Sequence, residues 1–271
     1  MQADVSFSGI LCAIDSPEPG RAAFLQALSL AKAHDATVSL VVAVPGSARR
    51  NWRAPERLRF IAELRGIAVA EDVPLGISVQ QGDPAAIVLD HVRSGKHDAI
   101  VIGTHGPRVL ERLPFGSVAQ RVVAGASRPT FVIPATQNAR IEDTFSHILC
   151  PVNVSPGSRA VVKSATQFLR RGGGRLTLLH VGPLQRAGAS RMQLQQLAPA
   201  DPAVRGKVHA RLAGGPVASG ILDVAAELKP DLIVLGMTSR RGLQRWFNSI
   251  TSRIVEGSTC PVLAIPGEAF V

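Results

Sequence analysis

Four residues at set spacing could cradle a phosphate: Gly103 and Gly106 lie three apart, nine residues follow Gly106, and Gly116-Ser117 comes next. Glycines at the first two positions let the backbone approach a ligand with no Cβ in the way and take positive φ, so that N–H groups point inward. If Gly116-Ser117 opens a helix, that helix adds unpaired N–H groups and a dipole favouring an anion, with the Ser117 hydroxyl as a further donor. Asp15 is the matching acceptor. It closes an earlier apolar run, and an ionised carboxylate suits a ribose hydroxyl or an adenine amino group.

The surrounding elements must bring these residues together. Short apolar runs bounded by Gly, Pro and Asp alternate with longer segments of helical period, the pattern of βαβ units on a parallel sheet. In the first half, strands are expected over 9–14, 37–43, 76–80, 98–103 and 130–134. Helices are expected from Arg21 to His34, Pro55 to Glu71, Pro84 to Ser94 and Ser117 to Gly125. Asp83 before Pro84 is an N-cap followed by a proline at the first helical position. In an open parallel sheet ligands sit outside the carboxyl ends of the strands where the connections diverge. If the first and fourth strands are neighbours, Asp15 and the glycine loop converge there.

The chain is this pattern written twice. Ile10-Leu11-Cys12-Ala13-Ile14-Asp15 aligns with Ile148-Leu149-Cys150-Pro151-Val152-Asn153, and without a gap Arg21-Ala22 aligns with Arg159-Ala160. Asp98 to Gly103 answers Asp231 to Gly236, and Arg121 to Pro134 answers Arg253 to Pro266. The expected domains are residues 1–137 and 143–271, joined by the polar stretch Ala135 to Asp143. In the second half a short helix is expected from Met192 to Leu197.

The second copy departs from the motif at several positions. Ser239 stands for the second glycine, Asn248 for the third and Asn153 for the aspartate, and the loop is one residue shorter. A non-glycine residue in the left-handed region costs roughly 1–2 kcal/mol, less for Asn. Arg240, Arg241 and Arg245 in that loop suit either an anion or a solvated surface. Trp246-Phe247 suit either a contact patch or core packing beneath the loop, and His180 reads as structural.

The 271 residues carry 46% hydrophobic and 18% charged side chains, a globular composition with enough length for two cores. No run of about 18 apolar residues suggests a membrane helix. With no signal-like start, the expectation is a cytoplasmic protein that makes no use of a membrane. Cys12 and Cys150 fall at matching strand positions and read as buried thiols. A net charge of +10 attracts anions, but the chain has no Tyr and no basic run interleaved with aromatics. Specific nucleic-acid binding is therefore not expected. The lysine-bearing P-loop is absent, and no nucleophile and base fall together at the strand ends. Catalysis is expected to amount at most to slow hydrolysis of a bound ligand.

Gly-2X-Gly-9X-Gly-Ser with an aspartate closing the first strand resembles the ATP-binding motif of the universal stress protein family, and the resemblance extends over both halves. It implies an α/β fold of two tandem open-sheet domains, each a five-stranded parallel sheet of order 3-2-1-4-5 flanked by helices. It further implies that Asp15 and the backbone at Ala43 hold adenine and ribose with Ala13 and Gly103 nearby. His105, Gly106, Gly116, Ser117 and Val118 would surround the phosphates. The implied ligand is ATP, with or without Mg. Implied partners are the other domain, as an intramolecular pseudo-dimer joined through the strands at Thr130 to Ile133 and Val262 to Ile265, and further copies in a homo-oligomer. Two readings follow from the residues: a nucleotide-responsive stress protein using its first domain, and a non-enzymatic scaffold with no physiological nucleotide.

Overall fold

The computed structural model describes residues 7–15, 17–44, 54–104, 117–134, 145–153, 157–170, 173–183, 187–199, 204, 206–237 and 250–267. They fall into two compact units, the first within 7–134 and the second within 145–267.

In the first unit the strands are β1 (Gly9–Ile14), β2 (Thr37–Val44), β3 (Leu75–Gln81), β4 (Ala99–Gly103) and β5 (Thr130–Ile133). The helices between them are α1 (Pro17–His34), α2 (Ala54–Ala70), α3 (Pro84–Arg93) and α4 (Ser117–Gly125). All strands pair in parallel in the order β3-β2-β1-β4-β5. β1, β4 and β5 are apolar along nearly their whole length because helices cover both faces of a parallel sheet. β3, paired to β2 at the margin of this order, shows no fully buried residue.

The second unit repeats the plan with β6 (His147–Pro151), α5 (Ser158–Gln167), β7 (Arg175–Val181), α6 (Ala187–Leu197), β8 (Val208–Ala213), α7 (Val217–Leu228), β9 (Leu232–Gly236), α8 (Ile250–Gly257) and β10 (Val262–Ile265). Its order is β8-β7-β6-β9-β10, again 3-2-1-4-5 and again parallel. The fold class expected from the sequence is the fold observed.

Two helices begin earlier than the sequence suggests. α1 starts at Pro17, four residues before Arg21. Prolines are tolerated in a first turn whose N–H groups have no intrahelical partner, and Gly20 carries no side chain to show a period. α6 starts at Ala187 instead of Met192, since Ala187-Gly188-Ala189-Ser190-Arg191 has no apolar rhythm to reveal it. The linker from Ala135 to Asp143 lies outside the described residues.

One carboxylate per unit fastens the start of the central strand. Asp98 Oδ2 accepts from Ser8 N at 2.7 Å, Ser8 Oγ at 2.8 Å and Gly9 N at 3.2 Å. Asp231 Oδ2 accepts from Ser146 N and His147 N, both at 2.8 Å. Burial opposes ionisation of Asp98, yet the donors from Ser8 and Gly9 hold its carboxyl below the usual range.

Candidate functional site

The order 3-2-1-4-5 places β1 beside β4, with connections from the two strands running to opposite sides, so the crevice foreseen from the sequence forms at their carboxyl ends. Ala13 and Asp15 reach it from the end of β1, Ala43 from β2 and Gly103 from β4. Val118 reaches it from the first turn of α4. Five of the nine residues expected at the site thus line one cavity of about 400 Å³, counting the part open to solvent.

Ser117 opens α4 as expected. His105, Gly106 and Gly116 lie outside the described residues.

Thr104, next to Gly103 in the glycine loop, also lines the cavity, and so do Gly20, Pro84, Val88, Ile102 and Ala119, which the sequence reading does not place at the site. Gly20 is the informative one. It is buried in the first turn of α1, where a Cβ would stand 3.1 Å from Ile14 Cβ and 3.2 Å from Ile14 Cγ2. Glycine here lets the start of α1 close down on the end of β1. Its only sequence signal is the run Pro17-Glu18-Pro19-Gly20, which reads as loop until the proline-tolerant first turn is considered.

Chemically the cavity is mostly small and apolar, with exposed Asp15 at its rim and the peptide groups at Gly103 and Thr104. Alanine, glycine and valine walls suit a flat aromatic base, and Asp15 suits a hydroxyl or amino donor. Asp83 organises the opposite wall. Its Oδ1 caps α3 by accepting from Ala86 N at 2.8 Å, and its Oδ2 accepts from Arg121 Nη1 on α4 at 2.7 Å. The Arg121 hydrogen bond, then the Ala86 N–H, lowers the Asp83 pKa. The pair links α3 to α4 beside Pro84 and Val118, and its exposure makes it an alignment device more than a source of stability.

The cysteines offer no reactive group to this site. Cys12 and Cys150 are fully buried, which pushes both thiols up, Cys150 to about 12. Among the described residues no group of three or more His, Cys, Asp or Glu side chains is placed to hold a metal ion, and no helix is long and apolar enough to cross a membrane.

At the strand ends of the second unit, Ser158 Oγ donates to Asn153 Oδ1 at 2.9 Å. His180 Nδ1 donates to the Val152 carbonyl at 3.1 Å, the structural role expected of it. Ser239, Arg240, Arg241, Arg245, Trp246, Phe247 and Asn248 lie outside the described residues.

An open parallel sheet of order 3-2-1-4-5, with a crevice where its connections diverge and a helix N-terminus facing that crevice, defines an α/β domain of the doubly wound class. The family model described as "Universal stress protein family" matches residues 7–134 and again 144–266. The chain belongs to that family, as a tandem of two such domains. It is 25% identical over 289 aligned residues to a universal stress protein of Mycolicibacterium smegmatis, covering 95% of this chain and 96% of that one. It is 23% identical over 159 residues to the stress response protein NhaX of Bacillus subtilis, covering 46% of this chain and 96% of that protein. The crystal structure of a universal stress protein from Archaeoglobus fulgidus has the same fold, with a TM-score of 0.71 at 15% identity over 96% of this chain and 98% of that one.

Proposed function

We propose that the protein is a nucleotide-responsive stress protein of the cytoplasm, whose first unit binds one adenine nucleotide, ATP, while the second unit binds none. One observation supports the reading: Ala13, Asp15, Ala43, Gly103 and Val118, expected at the site from the motif and its family resemblance, line a single crevice with apolar walls and one carboxylate at its rim. The base would lie against Ala13 and Ala43, and Asp15 would take the ribose. The phosphates would meet the glycine loop and the start of α4, where unpaired N–H groups favour negative charge. A Mg ion, where one accompanies ATP, would come bound to its phosphates. The protein's part is to bind and orient, so the nucleotide acts as a signal.

The test is calorimetric titration of the full chain with ATP, with mass spectrometry of any nucleotide that copurifies. One site per chain is expected, with Gly106→Val abolishing it and Ser239→Gly leaving it unchanged. No binding at millimolar ATP would sink the proposal. The scaffold reading is favoured by the second copy, which holds its fold with strand-end polar groups already bonded to each other. It gains ground if ATP fails to raise the melting temperature.

A further inference from the structure

The broken loop is the difference between the copies that the sequence advertises, yet the base-and-ribose end of the second crevice differs as well. The gapless alignment of the start of each repeat sets Gly20 opposite Ser158, Ala23 opposite Val161 and Asp15 opposite Asn153, and the later match of 98–103 with 231–236 sets Gly103 opposite Gly236.

Each pair changes the space or the chemistry. Gly20 lines the first cavity with no side chain, whereas Ser158, only 4% exposed, puts a hydroxyl at the matching place in the second unit and donates it to Asn153. Asn153 offers a neutral amide where Asp15 offers a carboxylate, and its acceptor oxygen is engaged by a neighbour in its own unit. Val161 Cγ2 stands only 2.5 Å from the point a Cβ on Gly236 would occupy, so the valine is pressed onto the end of β9. Ala23 has no γ carbon and cannot cover Gly103 in this way. Across the same strand ends, the His180 imidazole is tied to the Val152 carbonyl at 3.1 Å.

We propose that the second unit's crevice is closed by its own side chains, with Ser158 and Val161 filling and bonding the ground a nucleoside would take. The helix positions 20/158 and 23/161 therefore decide which copy admits a ligand, independently of the phosphate loop. This rests on the reading of the first crevice as an adenine-nucleotide site. It goes further in naming residues that loop repair would not touch.

Adenosine is the discriminating probe, because it has no phosphate and needs no glycine loop. Equilibrium dialysis of the full chain with adenosine should count one site per chain in the wild type. It should count two in Asn153→Asp/Ser158→Gly/Val161→Ala, and the closing substitution Ala23→Val should weaken the first site at least tenfold while circular dichroism shows the fold retained. A folded triple variant whose count stays at the wild-type value overturns the inference. So does an Ala23→Val protein whose affinity stays within twofold of wild type. A wild type that counts zero overturns the proposed function instead. In that case a rise from zero to one in the triple variant still upholds closure by Ser158 and Val161, and a count that stays at zero rejects it.

Discussion

His147, at the start of β6, has both ring nitrogens engaged. Nδ1 lies 3.0 Å from Arg175 Nη2, which can only donate, so the ring proton sits on Nε2, 3.0 Å from Thr177 Oγ1. A second proton would remove the acceptor Arg175 uses and set two cations side by side in a residue only 7% exposed. Burial first, then Arg175 on β7 and His209 on β8, disfavour the charged ring, while Asp231 ahead of β9 and the Leu228 carbonyl at the end of α7 favour it. The balance lowers the His147 pKa. The unfolded chain therefore takes up this proton first as pH falls below the ordinary histidine value of about 6.5, and stability present above that value drains away with acid. Urea midpoints at about pH 7.5 and about pH 5.5 should differ more in the wild type than in His147→Gln, which cannot take the proton. An equal difference in both would remove His147 as the cause. In the first unit His97 follows the same logic. Burial lowers its pKa, and Nδ1 faces the His91 carbonyl at 3.2 Å.

At the scale of elements, the carboxylates of Asp98 and Asp231 do work that the paired sequences hint at without explaining. Each gathers the first N–H groups of the neighbouring central strand, which have no other strand to bond. Asp98→Ala and Asp231→Ala should each cost about 1–3 kcal/mol, the range for losing hydrogen bonds to a charged acceptor and stranding their donors. Denaturant titration reads this directly, and a loss under about 0.5 kcal/mol, the scatter of ordinary surface substitutions, would contradict the role.

The strands were legible because apolar runs between Gly, Pro and Asp leave few alternatives, and the strand order followed from the motif's resemblance rather than from periodicity. Helix starts were less legible. The first turn of α1 holds Pro17, Pro19 and Gly20, residues that punctuate loops as readily as they open helices. Asp15 and Gly103 were singled out because they mark strand ends, and Ala13, Ala43 and Val118 because of the resemblance. Gly20 stayed hidden because what it brings to the cavity is an absence of side chain, visible only beside Ser158 of the second copy.

For the whole molecule, the proposed function gives the two copies of one fold different expected responses to a nucleotide. A ligand that binds only the native first unit stabilises it by RT ln(1 + [L]/Kd), about 2.7 kcal/mol at a hundredfold excess over Kd. That energy reaches only those amides whose exchange requires the first unit to open, since local and subglobal openings carry their own free energies. Hydrogen exchange followed by mass spectrometry, with and without saturating ATP, should therefore slow in peptides from β1, β2, β4 and α4. Peptides from β6, β7 and β9 should be unchanged when binding is confined to one crevice. Protection spread equally over both sets would mean either that the second unit also binds or that the units open together, and the stoichiometry from calorimetry separates those two. At acid pH His147→Gln should restore protection in β6 and β7 and leave the first unit's peptides, where His97 has its own acid effect, as in the wild type. Restoration by His147→Gln that spread to β1, β2 and β4 would show instead that the duplicated fold responds as one cooperative body.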